Sequence, residues 1–179
     1  QREKAVAADY AAATTDAQIK AFIAANASHP LAGIAELRLA DAAYEAAKYA
    51  DAQTGYTKAA AILGNTAFGQ RARLGAAVSL IMAGKTADGE AALKPLVADL
   101  AVAKGIRAEA AYQLASLAVD AGRNDDATKL ITQIASIDPA GQWAQRAMML
   151  QSRIPVSAPA APAGDTKTVS PAVNFKATP

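Results

Sequence analysis

Few side chains in this chain are spaced for chemistry. Asp41 and Glu45 lie four apart on one face of a predicted helix, where paired carboxylates could share acid–base work. The single histidine, His29, precedes Pro30 at a predicted helix start, and no second histidine or cysteine exists to join it as a metal ligand. GAAVSLIMAGKT at 75–86 ends in the Gly-Lys-Thr of a phosphate loop, but the loop needs glycine at 79, where Ser79 stands, and no strand precedes it. Gly84–Lys85 therefore reads as a helix-ending turn. Asp125, Asp126 and Asp138 sit at predicted helix starts, where acids cap the helix and favour its dipole. No cofactor, metal site or catalytic set is expected, and the chain reads as a protein that is not an enzyme.

The elements that carry these residues follow from composition. The chain has 179 residues, 51 of them alanine, and 53% are hydrophobic. Alanine is the best helix former and is depleted in strands, so an all-α fold is expected. Eighteen basic against 16 acidic residues give a net charge of +2, and the basic residues are scattered. That is too small a surplus to argue for nucleic acid or an anionic membrane, and neither is expected as a partner.

Breakers recur at regular places, such as His29–Pro30, Gly64–Asn65, Gly84–Lys85, Gly122–Asn124 and Asp138–Pro139. They predict nine helices, near 2–13, 15–27, 31–47, 50–63, 67–83, 87–101, 105–121, 124–136 and 140–152. Pro95 should kink or split the sixth. Met82, Met148 and Met149 read as core filler, and Trp143 as packing on the preceding hairpin or capping the stack. Residues 1–153 form one helical domain in this reading. Residues 154–179 hold most of the chain's eight prolines and no apolar period, which predicts a disordered tail.

The helical part repeats itself. LADAAYEAAKYADAQTGY at 39–56, AAVSLIMAGKTADGEAAL at 76–93 and LASLAVDAGRNDDATKLI at 114–131 align at offsets of 37 and 38. Each has a small residue in its first helix (Ala40, Ala77, Ala115), a small turn residue seven later (Ala47, Gly84, Gly122), another small residue (Ala52, Gly89, Ala127), then a bulky one (Tyr56, Leu93, Ile131). Small residues let two helices approach closely, and one hairpin cannot bury its apolar face alone. ASHPLAGIA at 27–35 resembles ASIDPAGQWA at 135–144, with proline expected to open the next helix.

At these residues the chain resembles the tetratricopeptide repeat. Leu39–Ala40, Tyr49, Ala52, Tyr56 and Ala59 match its pattern in one unit. Leu114–Ala115, Gly122, Ala127, Ile134 and Pro139 match in the last. The middle unit departs at Gly89 and Pro95, and the family's early tryptophan is absent. The resemblance covers about 15–152 and implies a right-handed solenoid of stacked antiparallel hairpins that binds proteins. HPLAGIAELRLADAAYEAAKYADA is similar to YfgM-type bacterial envelope proteins. That likeness implies a removed N-terminal membrane anchor, a place on the periplasmic side of the inner membrane, and partners in the export translocon or among envelope chaperones. The alternative is a chain trimmed from a cytoplasmic protein.

In such arrays the first helix of each hairpin lines a groove. Transferred position by position, the groove candidates are Arg38, Asp41 and Tyr44; Arg71, Leu74 and Ile81; and Tyr112, Gln113 and Ser116, with Ile34, Leu37, Glu45, Val78, Met82, Glu109 and Asp120 beside them. Aromatics and arginine suit an extended peptide or a partner helix. A carboxylate clamp would need lysine and asparagine where Leu37, Asp41, Leu74, Val78, Tyr112 and Ser116 stand. The second function reading is a self-associating homodimer that pairs through helix 2–13 or 140–152.

Overall fold

The computed structural model describes residues 1–156 of the chain. The expected tail beyond them, 157–179, lies outside the described residues. Among the described residues the fold is all-α, with nine helices: α1 (Arg2–Ala12), α2 (Asp16–Ala25), α3 (Pro30–Glu45), α4 (Tyr49–Leu63), α5 (Ala67–Met82), α6 (Thr86–Ala98), α7 (Lys104–Asp120), α8 (Asn124–Ile137) and α9 (Gln142–Gln151). Each packs on its neighbour in the chain, and α3 touches α5, α5 touches α7 and α7 touches α9 across the intervening helices. None of the described helices is long and apolar enough to cross a membrane.

Three helix pairs share one turn. Ala47, Gly84 and Gly122 take φ of 57°, 85° and 74°. In each case the second residue of the exit closes a wide backbone bond: Lys48 N–H to Ala43 O (2.8 Å), Lys85 N–H to Leu80 O (2.9 Å) and Arg123 N–H to Ala118 O (2.8 Å). This left-handed exit satisfies carbonyls that the helix end would leave unpaired. Its recurrence at 37 and 38 residues is the repeat seen in the sequence. The small residues of the repeat fill the seams: Ala40, Ala77 and Ala115 are all but inaccessible, as are Ala52 and Ala127. A methyl placed on Gly55 would lie 2.9 Å from Ala40 Cβ, and one on Gly89 would strike Ile81 and the Ala77 carbonyl. Tyr56, Leu93 and Ile131, the bulky repeat positions, are buried between the hairpins.

The core runs along the chain in three parts. The first joins α1 and α2 to α3 through Val6, Ile19 and Phe22; the second lies between α3, α4 and α5; the third, with Leu93, Leu96 and Ile134 at its centre, ties α5 through α9. The connections between hairpins are individual. Thr15 caps α2 in a capping box with Gln18. His29 caps α3, its Nδ1 accepting from Leu31 N–H while Nε2 lies 3.0 Å from Glu3 of α1, so the turn reading of this histidine holds. Buried Gln70 holds the 99–103 crossing, with its Oε1 accepting from Ala103 N–H at 2.9 Å and its amide donating to Ala101 O and Asn65 O.

Three expectations need correction. Met148 and Met149 are about three-quarters exposed and Met82 half exposed, so they are surface residues. Met148 and Met149 lie on the exposed face of α9, and Met82 is the last residue of α5. Pro95 does not split α6. It sits in the last turn of a helix that runs from Thr86 to Ala98; its missing donor leaves the Ala91 carbonyl without its helical bond, and the helix ends three residues later. Pro139 does not open α9. It lies in the preceding turn, and α9 starts from Gly141, where the Asp138 carboxylate covers the place a side chain would take. Trp143 packs on α7 through Tyr112, as expected of a residue that closes the last hairpin.

Candidate functional site

A cleft of about 290 Å³ opens where α3, α5 and α7 face one another. Tyr44 comes from α3, Tyr56 from α4, Arg71, Leu74, Gly75 and Val78 from α5, and Ile106, Glu109 and Gln113 from α7. The first helices of the three hairpins thus supply all but one of its lining residues.

One wall is held by a ladder of polar contacts. Tyr56 Oη donates to Asp41 Oδ1 at 2.5 Å, and Arg71 Nη2 donates to both Asp41 oxygens at 3.2 and 3.3 Å. The three residues come from α4, α3 and α5, so the ladder pins two successive hairpins together. The Tyr56 ring lies flat on Gly75: a methyl there would sit 2.9 Å from three ring carbons. Burial and the bond to Asp41 push the Tyr56 hydroxyl well above the usual phenol range, so it stays a donor. Asp41 is therefore spent inside the fold. It does not pair with Glu45, which is exposed, and the acid–base reading of that pair has no geometry behind it.

The opposite wall is different. Glu109 is half-buried, and loss of solvent raises its carboxyl above the ordinary range; the charges of Arg71 and Arg146 pull it back in part. It belongs to none of the four ion pairs among the described residues. Tyr44 faces it across the cleft; burial raises its hydroxyl, with Tyr49 and Glu109 adding to the effect. Tyr44 also meets Tyr49 edge to face, with ring centres 5.3 Å apart, which fixes its direction. The floor between the walls is apolar: Leu74, Val78 and Ile106.

The nine groove candidates divide. Tyr44, Arg71, Leu74 and Gln113 line the cleft, and Asp41 stands behind it through Arg71 and Tyr56. Arg38, Ile81, Tyr112 and Ser116 do not line it. Arg38 lies over the Tyr10 ring of α1 at 5.4 Å. Ile81 packs toward Gly89 inside its own hairpin. Tyr112 rests on Trp143, with ring centres 5.2 Å apart, and Arg146 stacks over that tryptophan at 4.6 Å. Ser116 is half-buried one turn beyond the cleft. The cleft also uses Tyr56, Gly75 and Ile106, none of which stood among the candidates. Gly75 carried a signal, since a glycine inside a helix that favours alanine asks for a close neighbour.

A wider hollow of about 480 Å³ lies against α2, α3 and α4. It is rimmed by exposed charges of both signs, among them Asp16, Lys20, Asp51 and Lys58, which water satisfies. No protein-family model, curated protein or solved structure matches the chain.

Proposed function

We propose that this protein binds other proteins and that the cleft of α3, α5 and α7 receives an exposed segment of its partner. In this reading the three hairpins are successive units of a tetratricopeptide-like right-handed solenoid, and the cleft is its inner face. The observation that carries it is the cleft itself. The first helix of every hairpin contributes to one concavity, floored by Leu74, Val78 and Ile106 and edged by Glu109, Gln113 and Tyr44. Repeat arrays create concave surfaces of this kind by rotating each unit on the last. An apolar floor with a few fixed polar groups binds chain segments by burial and selects them by hydrogen bonds. The work is recognition, not catalysis, and needs no cofactor. An envelope scaffold or chaperone-like accessory, anchored at the outer face of the inner membrane, is the setting the sequence resemblance supplies.

The test is a photo-crosslinking residue placed at Val78, at Gln113 and, as a control on the far face, at exposed Lys129. Discrete adducts with another protein from the two cleft positions, and none from Lys129, are expected. Adducts only from Lys129, or none at all, would remove the cleft from consideration. The second reading, self-association, has its own support in α9, the last helix described, whose Met148 and Met149 stand open. Adducts of twice the chain mass, with a concentration-dependent mass by light scattering, would favour it instead.

A further inference from the structure

The charges around the cleft are unevenly committed, and this says what its occupant must carry. Three arginines stand on or near this face. Arg71 is held by Asp41, Arg38 lies on Tyr10, and Arg146 lies on Trp143. Each has a partner within the fold. The acid that lines the cleft has none in direct contact: Glu109 forms no ion pair with any described residue, and the charges of Arg71 and Arg146 reach it only from a distance.

We infer that the cleft anchors its partner through one cationic side chain, a lysine or arginine, whose head meets the Glu109 carboxylate while its aliphatic stem lies on Leu74, Val78 and Ile106. The inference rests on the cleft being the binding face. Five features converge on it. A half-buried carboxylate that no cation contacts directly is costly, and a cation in contact with it reduces that cost. Long basic side chains combine an apolar stem with a charged tip, which matches a floor of aliphatic residues below a single acid. The tyrosines Tyr44 and Tyr56 edge the same space, and aromatic faces attract cations. The space, about 290 Å³, has room for one large side chain. Loss of solvent already lifts the Glu109 carboxyl, as expected of an acid placed to meet a charge that is supplied from outside.

Gln113, one turn along α7 from Glu109, carries both a donor and an acceptor at the cleft edge and is placed to pair with the backbone of the same segment. The partner is thus a segment with a central basic residue flanked by small or apolar ones. A segment with an acid at that place would meet Glu109 as a like charge.

The experiment is selection of a random displayed peptide library on the full chain, followed by synthesis of the enriched peptides. The expected result is a lysine or arginine at one fixed position. Replacing it with norleucine should weaken binding about tenfold or more, as loss of a charge-assisted bond does. Glu109→Gln should weaken the basic peptides by a similar factor, and the two changes together should cost no more than either alone. A circular-dichroism melt of Glu109→Gln checks that the fold is intact. Enriched peptides without a shared basic residue, or norleucine copies that bind as well as their parents, would overturn the inference while leaving the cleft as the binding face. Failure to enrich any peptide, or binding that survives Gln113→Trp, which fills the cleft, would overturn the binding-face reading as well.

Discussion

The seams inside the hairpins and the cleft between them use the same helices, α3, α5 and α7, in opposite ways. On the seam side, these helices present alanine to alanine or glycine, and the backbones close until no side chain is left between them: Ala40 on Gly55, Ala77 on Gly89. On the cleft side, they present tyrosine, arginine, glutamate and glutamine, and stand apart. A helix that packs tightly along one edge diverges along the other, because its neighbour is fixed by the seam and not by the cleft. The small residues therefore make the opening as well as the core. The seam is complete without a ligand; the cleft leaves an acid without a partner.

The largest effect expected from breaking this contrast is on the seam. Gly89→Leu drives a side chain into Ile81 and the Ala77 carbonyl. A flexible side chain could yield, but the backbone oxygen cannot. A loss of about 3 kcal/mol is expected, or roughly 6–12 °C in Tm for a chain of this size. A cleft substitution such as Gln113→Ala should leave the melt nearly unchanged. If the two variants melted alike, the seam would not be the stabilising region.

Next come the connections between hairpins, which the seam does not determine. Gln70→Ala removes an acceptor from Ala103 N–H and donors from Ala101 O and Asn65 O. It should cost about 1–3 kcal/mol, since the 99–103 backbone groups then lie partly buried without partners. The shift in denaturant midpoint at constant slope is the measurement. An unchanged midpoint would mean that water replaces the amide and that α6 is tied to α7 by packing alone.

Gln70 also marks the limit of what could be read from the sequence. The nine helices, the shared turn and the seam residues were legible because they recur at 37 and 38 residues and depend on local chemistry: a residue that takes positive φ, a small side chain, a helix period. That the first helices share a cleft followed from the repeat as well. Which side chains enter it did not. Arg38 and Tyr112 occupy groove-facing positions by register, yet Tyr10 of α1 and Trp143 of α9 claim them, and those helices lie outside the repeated units. The ladder of Tyr56, Asp41 and Arg71 spans 15 and 30 residues with no fixed spacing. Met82, Met148 and Met149 were misplaced because an apolar residue at helical spacing is read as core, although single apolar residues are common on a protein surface.

The shared turn offers a finer test, in which one geometry predicts opposite signs. Ala47 has φ of 57°, where Gly84 and Gly122 stand in the other two turns. An L-residue with a side chain pays about 1 kcal/mol or more in that conformation. Ala47→Gly should therefore stabilise the protein by up to about 1 kcal/mol, less the extra freedom glycine gives the unfolded chain. Gly84→Ala should destabilise it by about the same amount. The pair of melts checks it: shifts of the same sign would mean that the three turns are not equivalent.

The smallest effect is the one that separates the two regions most sharply, and it is read in pH. The folded state holds the Glu109 carboxyl above its ordinary range because solvent is lost around it. Between the ordinary range and the raised one, the folded chain keeps a proton that the unfolded chain has released. Stability from this group is therefore greatest at low pH and falls as pH rises through that window. Glu109→Gln should flatten that part of the stability profile, measured by chemical denaturation from about pH 4 to pH 7. Binding of a basic peptide must run the other way, since only the ionised carboxylate attracts the cation: affinity should rise with pH over the same window, and that rise should vanish in Glu109→Gln. Opposite slopes, both lost in one substitution, are what a binding acid gives. A purely structural acid would lose its stability slope on substitution and show no slope in affinity.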